Sequence, residues 1–599
     1  MKIHSYMSLF SLLLTSCIFS EQNVATSFNT RSISRNAARD LAGWFNYIDL
    51  NSSPEIVYGA LSITPEYNHT FHGDRITNTL FGDNLIGDCK NPYLNITGSQ
   101  VPNRGPQDLL ADYFYLPTDF HSTVEFKPVI DNVIIDFGFY LGLDAWKKGM
   151  YLAIHAPLAH TRWDLNICEN VIEPGVNGMM PGYFTPTALD RNQLLDSFTE
   201  FVNGANIVNT DAIAFQELRY AQMSNKRLVK TRMGEIRTAL GWNFFSEEYF
   251  HVGFNGQLAW PTGLRPDALF LFEPLVGNGH FWELGFGLNG HYNFWHSEDD
   301  LKHCSFLVDV NVTHLFRTRQ ARTFDLTRAG TLSRYMLALE MKSPAENLRG
   351  ANGSIPAAQF NNELLPVANF STLDVEVSIA AQADVVLMFN TTLNHWSIDF
   401  GYNYWGRSPD NITIRQNESF DERTFALKGD AHIFGFAALT NEAVALSATQ
   451  DKATIHAGKN LPATGTTNTT VINNAAKNPN IDFPQPATTN PVANPVPLLY
   501  APGVANTPTN VINTSIPPIF VTRNDLNING TETSGSSHKL FMHLSHTWND
   551  KTEWRPYLGL GAEVEWAPGT DKHCDPCDND HPQAATSQWG IWVKTGAAF

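Results

Sequence analysis

The chain has 599 residues, with 59 acidic and 40 basic side chains and a formal net charge of −19. This balance excludes a role in nucleic-acid binding, because there is no basic stripe to neutralise phosphates. Only 17% of the residues are charged and 12% are aromatic, and no apolar run beyond the N-terminal region is long enough for a transmembrane helix. The composition fits a secreted all-β protein. It also fits a membrane β-barrel, in which lipid-facing apolar residues alternate with polar ones and the mean hydropathy stays low.

The first element, residues 1–20, has the pattern of a secretory signal peptide. Lys2 provides a charged start, residues 7–19 form an apolar run, and Ser20 is a small residue at its exit. The run is too short to span a bilayer comfortably, so we expect cleavage rather than a retained anchor. The residues around Cys17 resemble a lipobox, which leaves lipidation of this cysteine as an alternative. Residues 21–55 follow as an N-terminal lead-in.

Runs of alternating apolar and polar residues recur from residue 57 to the end of the chain. In one of them, apolar side chains from Phe306 to Val312 alternate with Asp309 and Asn311. Such alternation predicts strands with one apolar and one polar face. Tryptophans recur near the ends of the runs, as the interfacial girdles of a membrane barrel require. We predict about fourteen such strands, including runs near residues 124–130, 335–341 and 423–434.

The last strand, residues 587–599, alternates strictly and ends on Phe599. This ending resembles the terminal strand of Gram-negative outer-membrane β-barrel proteins, in which it is part of the assembly signal. The resemblance implies an all-β fold with a single large antiparallel transmembrane β-barrel of about 14–16 strands, long loops and a few short helices. A soluble β-sandwich would also alternate, but the charged and amide groups on the polar face of strand after strand favour the barrel.

The resemblance also implies the surroundings of the protein. A barrel of this class resides in the bacterial outer membrane at the cell surface, in contact with outer-membrane lipid. Its implied partners are the barrel-assembly machinery and small hydrophilic solutes, and trimers are common among porins, so a homotrimer is the implied oligomer.

Residues 56–599 constitute the expected barrel domain, and three long segments interrupt its strands. A long early loop narrows the lumen of porins, so residues 81–119 resemble a lumen constriction loop. Residues 177–232 are expected to form a helical loop insertion. Residues 449–535 are rich in Asn, Thr and Pro and cannot bury a core, which predicts a mobile surface loop.

Charged residues on the polar faces are candidates for lining the pore. Arg317 and Arg319 continue the polar parity of the strand that contains Asp309. Opposed charges on facing walls would create a transverse field that admits small polar solutes. The alternative is a set of internal salt bridges that plug the barrel. The pore-lining candidates are Arg237, Asp309, Arg317, Arg319, Arg334 and Glu340.

Cys574 and Cys577 form a CxxC motif flanked by His573 and His581. A disulfide is expected in an oxidising compartment, and a tetrahedral zinc site is the alternative. The chain carries no signature of a hydrolase, a phosphate-binding loop or a dinucleotide-binding loop. We therefore expect no catalytic residues, no cofactor and no enzymatic activity.

The sequence taken as a whole predicts a porin-like outer-membrane channel for passive diffusion of small hydrophilic solutes. Two alternatives remain open. One is a structural or adhesive surface protein that uses a plugged barrel as its anchor. The other is a secreted soluble β-rich enzyme or lectin.

Overall fold

A computed structural model gives the fold of the chain. The predicted signal peptide, Cys17, Cys574 and Cys577 lie outside the described residues, as does most of the 449–535 segment. The structure describes residues 24–46, 58–88, 90–98, 101, 104–178, 189–207, 214–247, 249–298, 301–342, 359–415, 420, 424–427, 434–436, 443–445, 453–456, 520–548, 554–568 and 581–599.

Twelve antiparallel strands close into an up-and-down barrel. Each barrel strand pairs with the next one along the chain, and the first pairs with the last, so the closed sheet has no free edge. The strands are β1 (Gly59–Thr70), β2 (Val129–Gly142), β3 (Met150–Asp164), β4 (Ile236–Ser246), β5 (Phe250–Trp260), β6 (Glu283–His296), β7 (Lys302–Thr323), β8 (Thr372–Leu393), β9 (Trp396–Arg407), β10 (Gly535–Thr547), β11 (Arg555–Trp566) and β12 (Gln588–Ala598).

The outside of the barrel is apolar and its inside is polar. On β6 the outward Leu284 and Phe286 are 53% and 50% exposed, whereas the inward Glu283 is 2% exposed. Exposed tryptophans stand near both ends of the strands, for example Trp260 and Trp396. A closed antiparallel barrel with an apolar belt and aromatic girdles is the architecture of outer-membrane proteins. The chain is therefore a β-barrel protein of the bacterial outer membrane.

The number of barrel strands is twelve, which corrects the predicted 14–16. The run at 124–130 is interrupted: His121–Phe126 belongs to a separate sheet, and β2 begins at residue 129. Leu337–Lys342 and Phe425–Leu427 pair with each other outside the barrel. Alternation marks any strand with one buried face, so it does not distinguish barrel strands from strands in loops.

The two ends of the barrel differ. At one end, called here the turn end, short connections join β2 to β3, β4 to β5, β6 to β7 and β8 to β9, and Gly59 and Phe599 lie at this end. At the other, called the loop end, all the long connections emerge. In outer-membrane barrels the short turns are periplasmic and the long loops are extracellular.

The long connections pack together into a loop layer with an apolar core. Leu94, Phe114, Phe201 and Val377 are among the buried side chains of this core, and the described parts of residues 81–119 belong to it.

The described strands outside the barrel form three small sheets and two additions to barrel strands. The first sheet contains Tyr93–Thr97, Leu109–Leu110, His121–Phe126 and Ile167–Glu173, and the second contains Ala214–Phe215, Leu337–Lys342, Gln359–Pro366 and Phe425–Leu427. Phe434–Phe436 and Ala443–Ala445 form the third, while Leu228–Met233 and Asp410–Ile414 pair with β3 and β8.

Helices are few and short. In the described part of the expected helical insertion, residues 177–232, there are one α-helix, Phe198–Val202, and one 3₁₀ turn, Arg191–Gln193. The other α-helices are α1 (Ala37–Leu41), Gly73–Phe81 and Ala368–Ser371; the other 3₁₀ turns are Trp44–Asn46, Gly82–Asn84, Ala111–Phe114, Ser333–Tyr335, Arg523–Asp525 and Asn529–Thr531. Within the described part of the chain, no helix is long and apolar enough to cross a membrane.

Candidate functional site

The described part of the N-terminal lead-in, residues 24–46, runs from the loop layer into the lumen of the barrel. Val24 and Phe28 are buried in the core of the loop layer. The chain then runs toward the turn end, where Asn46 donates to Ser545 Oγ at 2.9 Å and accepts from Thr547 Oγ1 at 3.0 Å. Residues 29–46 are called the plug below. The sequence did not predict this placement.

Three arginines at four-residue intervals anchor the plug to the barrel wall. Arg31, Arg35 and Arg39 are all nearly inaccessible to solvent, and each pairs with at least two carboxylates. A buried ion pair is stable only when both charges are closely matched, so these contacts hold the plug in one register. The pairs are Arg31 with Asp384 (2.8 Å) and Glu565 (3.2 Å), Arg35 with Asp384 (3.0 Å) and Glu283 (3.4 Å), and Arg39 with Glu66 (2.5 Å), Asp40 (3.2 Å) and Asp136 (3.4 Å).

The short helix α1 of the plug is capped at both ends. Its N-cap, Asn36, accepts from the Arg39 backbone N–H at 3.2 Å, and its side-chain amide donates to Glu563 at 2.9 Å. At the C-terminal end, Lys594 Nζ donates to the carbonyl oxygens of Arg39, Asp40 and Ala42, the last at 2.7 Å. Helix C-termini leave carbonyls without partners, so a wall lysine completes the hydrogen bonding of the plug.

A glycine lets the chain turn after α1. Gly43 has φ +72°, and its N–H donates to Asp399 Oδ2 at 2.7 Å. A Cβ at this position would lie 2.8 Å from Asn46 Nδ2 and 2.9 Å from His543 Cε1. The left-handed backbone and the close approach to the wall both require a residue without a side chain. Trp44 follows, stacked on His251 with the ring centroids 5.0 Å apart.

The plug leaves one side of the lumen open as a cavity of about 180 Å³. The arginines of the plug pair with carboxylates on β8, β11 and β1, and the plug also forms ion pairs with β2, β4 and β6. The cavity lies between the plug and β2–β7. The lining includes Trp44, Tyr140, Tyr151, His155, Asn255 and Asp309.

Amide side chains form two cross-strand rows on the cavity wall. In one row Asn243 on β4 pairs with Gly253 on β5, Gly253 pairs with Asn289 on β6, and Asn289 pairs with Asp309 on β7. The neighbouring row runs through Gly241, Asn255, Gly287 and Asn311. Inward glycines alternate with the amides in both rows, which gives the larger side chains room to lie along the wall.

The amide rows are tied together by hydrogen bonds within the wall. Asn289 Nδ2 and Asn255 Nδ2 both donate to the Tyr151 hydroxyl, at 2.6 and 3.3 Å. Asn311 Nδ2 donates to Asp309 Oδ2 at 2.8 Å, and Gln257 Nε2 donates to Asn255 Oδ1 at 2.8 Å. The geometry of the cavity wall is therefore set by side chains on β3 and β5–β7.

Apolar contacts lie on the loop-end side of the cavity. Ile134 on β2, Ala159 on β3 and Val276 from the β5–β6 connection are fully buried together, with Ile33 of the plug and Leu264 packed against them. His155 pairs with Gly138, and Ala159 pairs with Ile134, so this cluster lies further along the strands than the His155 level of the cavity. The cluster therefore lies on the strands between the His155 level of the cavity and the loop end of the barrel.

Two of the six pore-lining candidates line the cavity: Arg237 and Asp309. Arg317 and Arg319 do not, since they are 64% and 49% exposed and pair with Glu376 and Asp374 on β8. Their side chains are on the opposite face of β7 from the predicted one, because the register of β7 against β8 shifts between Leu315 and Thr318.

The remaining candidates lie in the loop layer or at the turn end. Arg334 is completely buried and pairs with Asp325 at 2.6 Å, and Glu340 lies on the Leu337–Lys342 strand; neither belongs to the lumen. Phe599 exchanges backbone hydrogen bonds with Gly59, at 2.8 and 2.9 Å, where β12 meets β1. Of the cysteines that the structure describes, Cys168 and Cys304 are free thiols.

A signal for the plug was present in the sequence. Arginines at 31, 35 and 39 form a regular basic series ahead of the first strand, in a chain whose strands carry acids on their polar faces. Such a series is complementary to an acidic lumen. The amide rows were also visible, as inward glycines and asparagines in adjacent strands, but their alignment requires the register between strands.

One group of lumen residues has the composition of a metal site. Ligand atoms of Asp40, Asp136 and His155 lie within 4.8 Å of one another. Arg39 and Arg237 pair with the same carboxylates, Arg237 with Asp40 at 2.9 Å. The arginines neutralise the acids and oppose a cation, so the group is an ion-pair cluster that fixes the plug.

No protein-family model matches the chain, and no curated protein sequence matches it. Among solved structures, the chain is similar to an outer membrane channel from Pseudomonas putida F1 (8% identity, TM-score 0.28, covering 92% of this chain and 100% of that chain). Others are a FadL homologue from Pseudomonas aeruginosa (7%, 0.26, 97% and 99%) and the Pseudomonas putida toluene transporter TodX (8%, 0.28, 96% and 96%).

Proposed function

We propose that this protein is an outer-membrane channel for small hydrophilic solutes, which pass beside the plug along the amide-lined wall. The observation that carries the proposal is the polar cavity of about 180 Å³ between the plug and β2–β7. Hydrogen-bonding side chains line it, and an apolar cluster lies between it and the loop layer. A polar compartment next to an apolar constriction is the arrangement of a gated pathway.

The proposed pathway is narrower than the open lumen of a general porin. The plug fills part of the lumen, where its arginines pair with carboxylates on β8, β11 and β1 and also on β2 and β6. A solute therefore needs only local movement of the apolar cluster, in which Ile33 of the plug meets Ile134 and Val276. The arginine anchors can remain in place during this movement. We expect small conductance steps and a low size limit.

Single-channel recording in a planar bilayer tests the proposal. Ala153 lines the cavity, so Ala153→Trp should fill much of it and reduce conductance severalfold. Ala153→Ser is the matched control, since it keeps the volume almost unchanged. Both proteins should show the heat-dependent shift in gel mobility of a folded barrel, which separates blockage from misfolding.

Two outcomes would contradict the channel. The first is the absence of conductance steps from wild-type protein that is folded and inserted in the bilayer, together with their absence from a variant with a destabilised plug. The second is conductance that Ala153→Trp leaves unchanged, because the ions would then follow a path that does not include the cavity.

A second candidate function is that of a barrel-anchored surface protein with a closed lumen. The size of the loop layer favours it, because this layer has a continuous apolar core and sheets of its own. Residues 457–519, which lie in the sequence between loop-layer residues Ile455 and Phe520, would then carry the binding activity. Deleting them should abolish attachment of the bacteria to a partner surface while the barrel remains folded in the membrane.

A further inference from the structure

The end of the plug rests on a pair of histidines from adjacent barrel strands. His251 on β5 and His291 on β6 are opposite each other in the register, and their Nδ1 atoms are in hydrogen-bond contact. Both residues are buried, at 3% and 4% exposure. Trp44 is stacked on His251, and its ring centroid lies 5.0 Å from the centroids of both imidazoles. One aromatic ring of the plug therefore covers the whole pair.

This contact marks the limit of the cavity toward the turn end. Along β5 the lining of the cavity extends from Ala259 to His251, which is the second residue of the strand. Trp44 lines the same cavity. Beyond it, Asn46 is hydrogen-bonded to Ser545 near the end of β10. The ring of Trp44 and the two imidazoles therefore lie between the cavity and the short turns.

The geometry of the pair favours two neutral imidazoles. A hydrogen bond between two Nδ1 atoms needs one N–H and one lone pair, so only one of these atoms carries a proton. Within the described residues, neither imidazole has a carboxylate at an ion-pair distance of 4.0 Å or less. A buried charge without a partner is unfavourable. Protonation of both rings would place two N–H groups and two positive charges face to face.

Other titratable groups of the plug end and the surrounding wall are Asp40, Tyr151, Tyr249, His296, His303, Asp309, Asp399 and His543. His543 pairs with Asp399 at 3.0 Å, so its protonated form has a counter-charge. Asp309 is opposite Asn289, one row nearer the loop end than His291. The imidazole of His303 is 4.6 Å from the ring of Phe45, between centroids. The pair beneath Trp44 is therefore the group whose protonation the docked plug opposes most directly.

We propose that Trp44 closes the turn end of the cavity and that protonation of His251 and His291 releases it. The inference rests on the proposed channel, because it gives that channel a gate on the side of the short turns. Protonation of buried histidines is a common means of switching an interface between two states.

The direction of the pH effect follows from proton linkage. An imidazole in water has a pKa of about 6.5, so released histidines take up protons below this pH. Histidines that stay neutral while docked stabilise the docked plug above about pH 6.5 and lose that contribution as the pH falls. Each ring can shift the equilibrium by up to about tenfold per pH unit, so at pH 5.5 the two rings together favour release by up to about a hundredfold.

Hydrogen exchange of the detergent-purified full chain tests the release without any transport. The N–H groups of Gly43 and Asn46 are suitable reporters, because they donate to Asp399 Oδ2 at 2.7 Å and to the Gly43 carbonyl at 3.0 Å. We expect their protection factors, corrected for the intrinsic pH dependence of exchange, to fall at least tenfold between about pH 7.5 and about pH 5.5. The amides of β12 should keep theirs. Protection of the two reporters that does not change with pH would overturn the inference.

Variants assign the effect to the histidine pair. The double variant His251→Gln/His291→Gln has no titratable group beneath Trp44, so its protection factors should be the same at both pH values. His314→Gln is the matched control, because His314 is exposed on β7 and contacts only the Ala380 carbonyl, at 2.9 Å; it should behave as the wild type. If the double variant does not fold, Trp44→Leu serves instead and should remove most of the pH dependence. Full pH dependence in either variant would refute the assignment.

Conductance separates the gate from the channel. In a planar bilayer the open fraction should rise as the pH falls in the wild type, and it should not respond in the double variant. Loss of protection at low pH in a protein that never conducts would uphold the release of Trp44 and contradict the channel. Conductance by a protein whose plug end keeps its protection at low pH would support the channel and contradict the gate.

Discussion

Replacing Arg39 by glutamine should loosen the plug more than any other single change among its arginines. Arg39 is completely buried, and its guanidinium lies 2.5 Å from Glu66, 3.2 Å from Asp40 and 3.4 Å from Asp136. Removing one partner of a buried ion pair destabilises a protein by about 3–5 kcal/mol, because the remaining charges are left uncompensated. At about 1.4 kcal/mol per tenfold change, the docked plug becomes roughly 10² to 4 × 10³ times less favoured.

Two measurements report this change. The melting temperature of the detergent-purified barrel should fall in Arg39→Gln, and in bilayers the open fraction of the channel should rise. Arg219→Gln is the matched control, because Arg219 forms an exposed pair with Glu217, and exposed pairs contribute about 1 kcal/mol or less. Adding Glu66→Gln to Arg39→Gln should restore part of the stability, since it removes one of the unpaired charges.

An unchanged melting temperature together with unchanged conductance would refute the reasoning. It would mean that water or another cation compensates the three carboxylates, and that the ion pairs do not hold the plug. A lower melting temperature without any change in conductance would leave the plug as a structural element and contradict its role in the pathway.

Three further predictions concern the plug and the loop layer. Lys594→Met should reduce the free energy of unfolding by about 1–3 kcal/mol, because it leaves carbonyls at the end of α1 without a donor. The melting temperature should fall accordingly, and Lys594→Arg should retain part of the stability. Gly43→Ala should destabilise the plug turn by about 1–3 kcal/mol, because its φ is +72°, and trypsin should then cleave at the plug arginines faster than in the wild type. Burial, with a contribution from Asp267, raises the pKa of Glu273 in the β5–β6 connection to about 8. An acid with a raised pKa in the folded state stabilises the fold below its unfolded pKa and loses that contribution as the pH rises. The melting temperature should therefore fall between about pH 5 and pH 8, and Glu273→Gln should flatten that slope; an equally steep slope in Glu273→Gln would refute the assignment.

Residue alternation predicted the faces of individual strands well. Asp309 and Arg237 were assigned to the polar face, and both line the lumen cavity. The assignment succeeds because successive side chains point to opposite sides of a strand, so one residue of known direction determines its neighbours. It failed at Arg317 and Arg319, where the shift of register between Leu315 and Thr318 reverses the parity. The alternation of apolar and polar residues around Leu315 does not indicate that shift.

The sequence alone determined that this chain is an outer-membrane β-barrel, because apolar and polar residues alternate along its strands with a period of two. This alternation gives each strand an apolar face toward lipid and a polar face toward the lumen. Only the tertiary structure decided that twelve strands close the barrel, that a basic segment fills part of its lumen and that a polar cavity remains beside it. These features depend on contacts such as that of Arg31 with Asp384 and Glu565, between residues hundreds of positions apart. Periodicity is a local property of the chain, whereas closure of the barrel and docking of the plug are determined by pairing across its whole length.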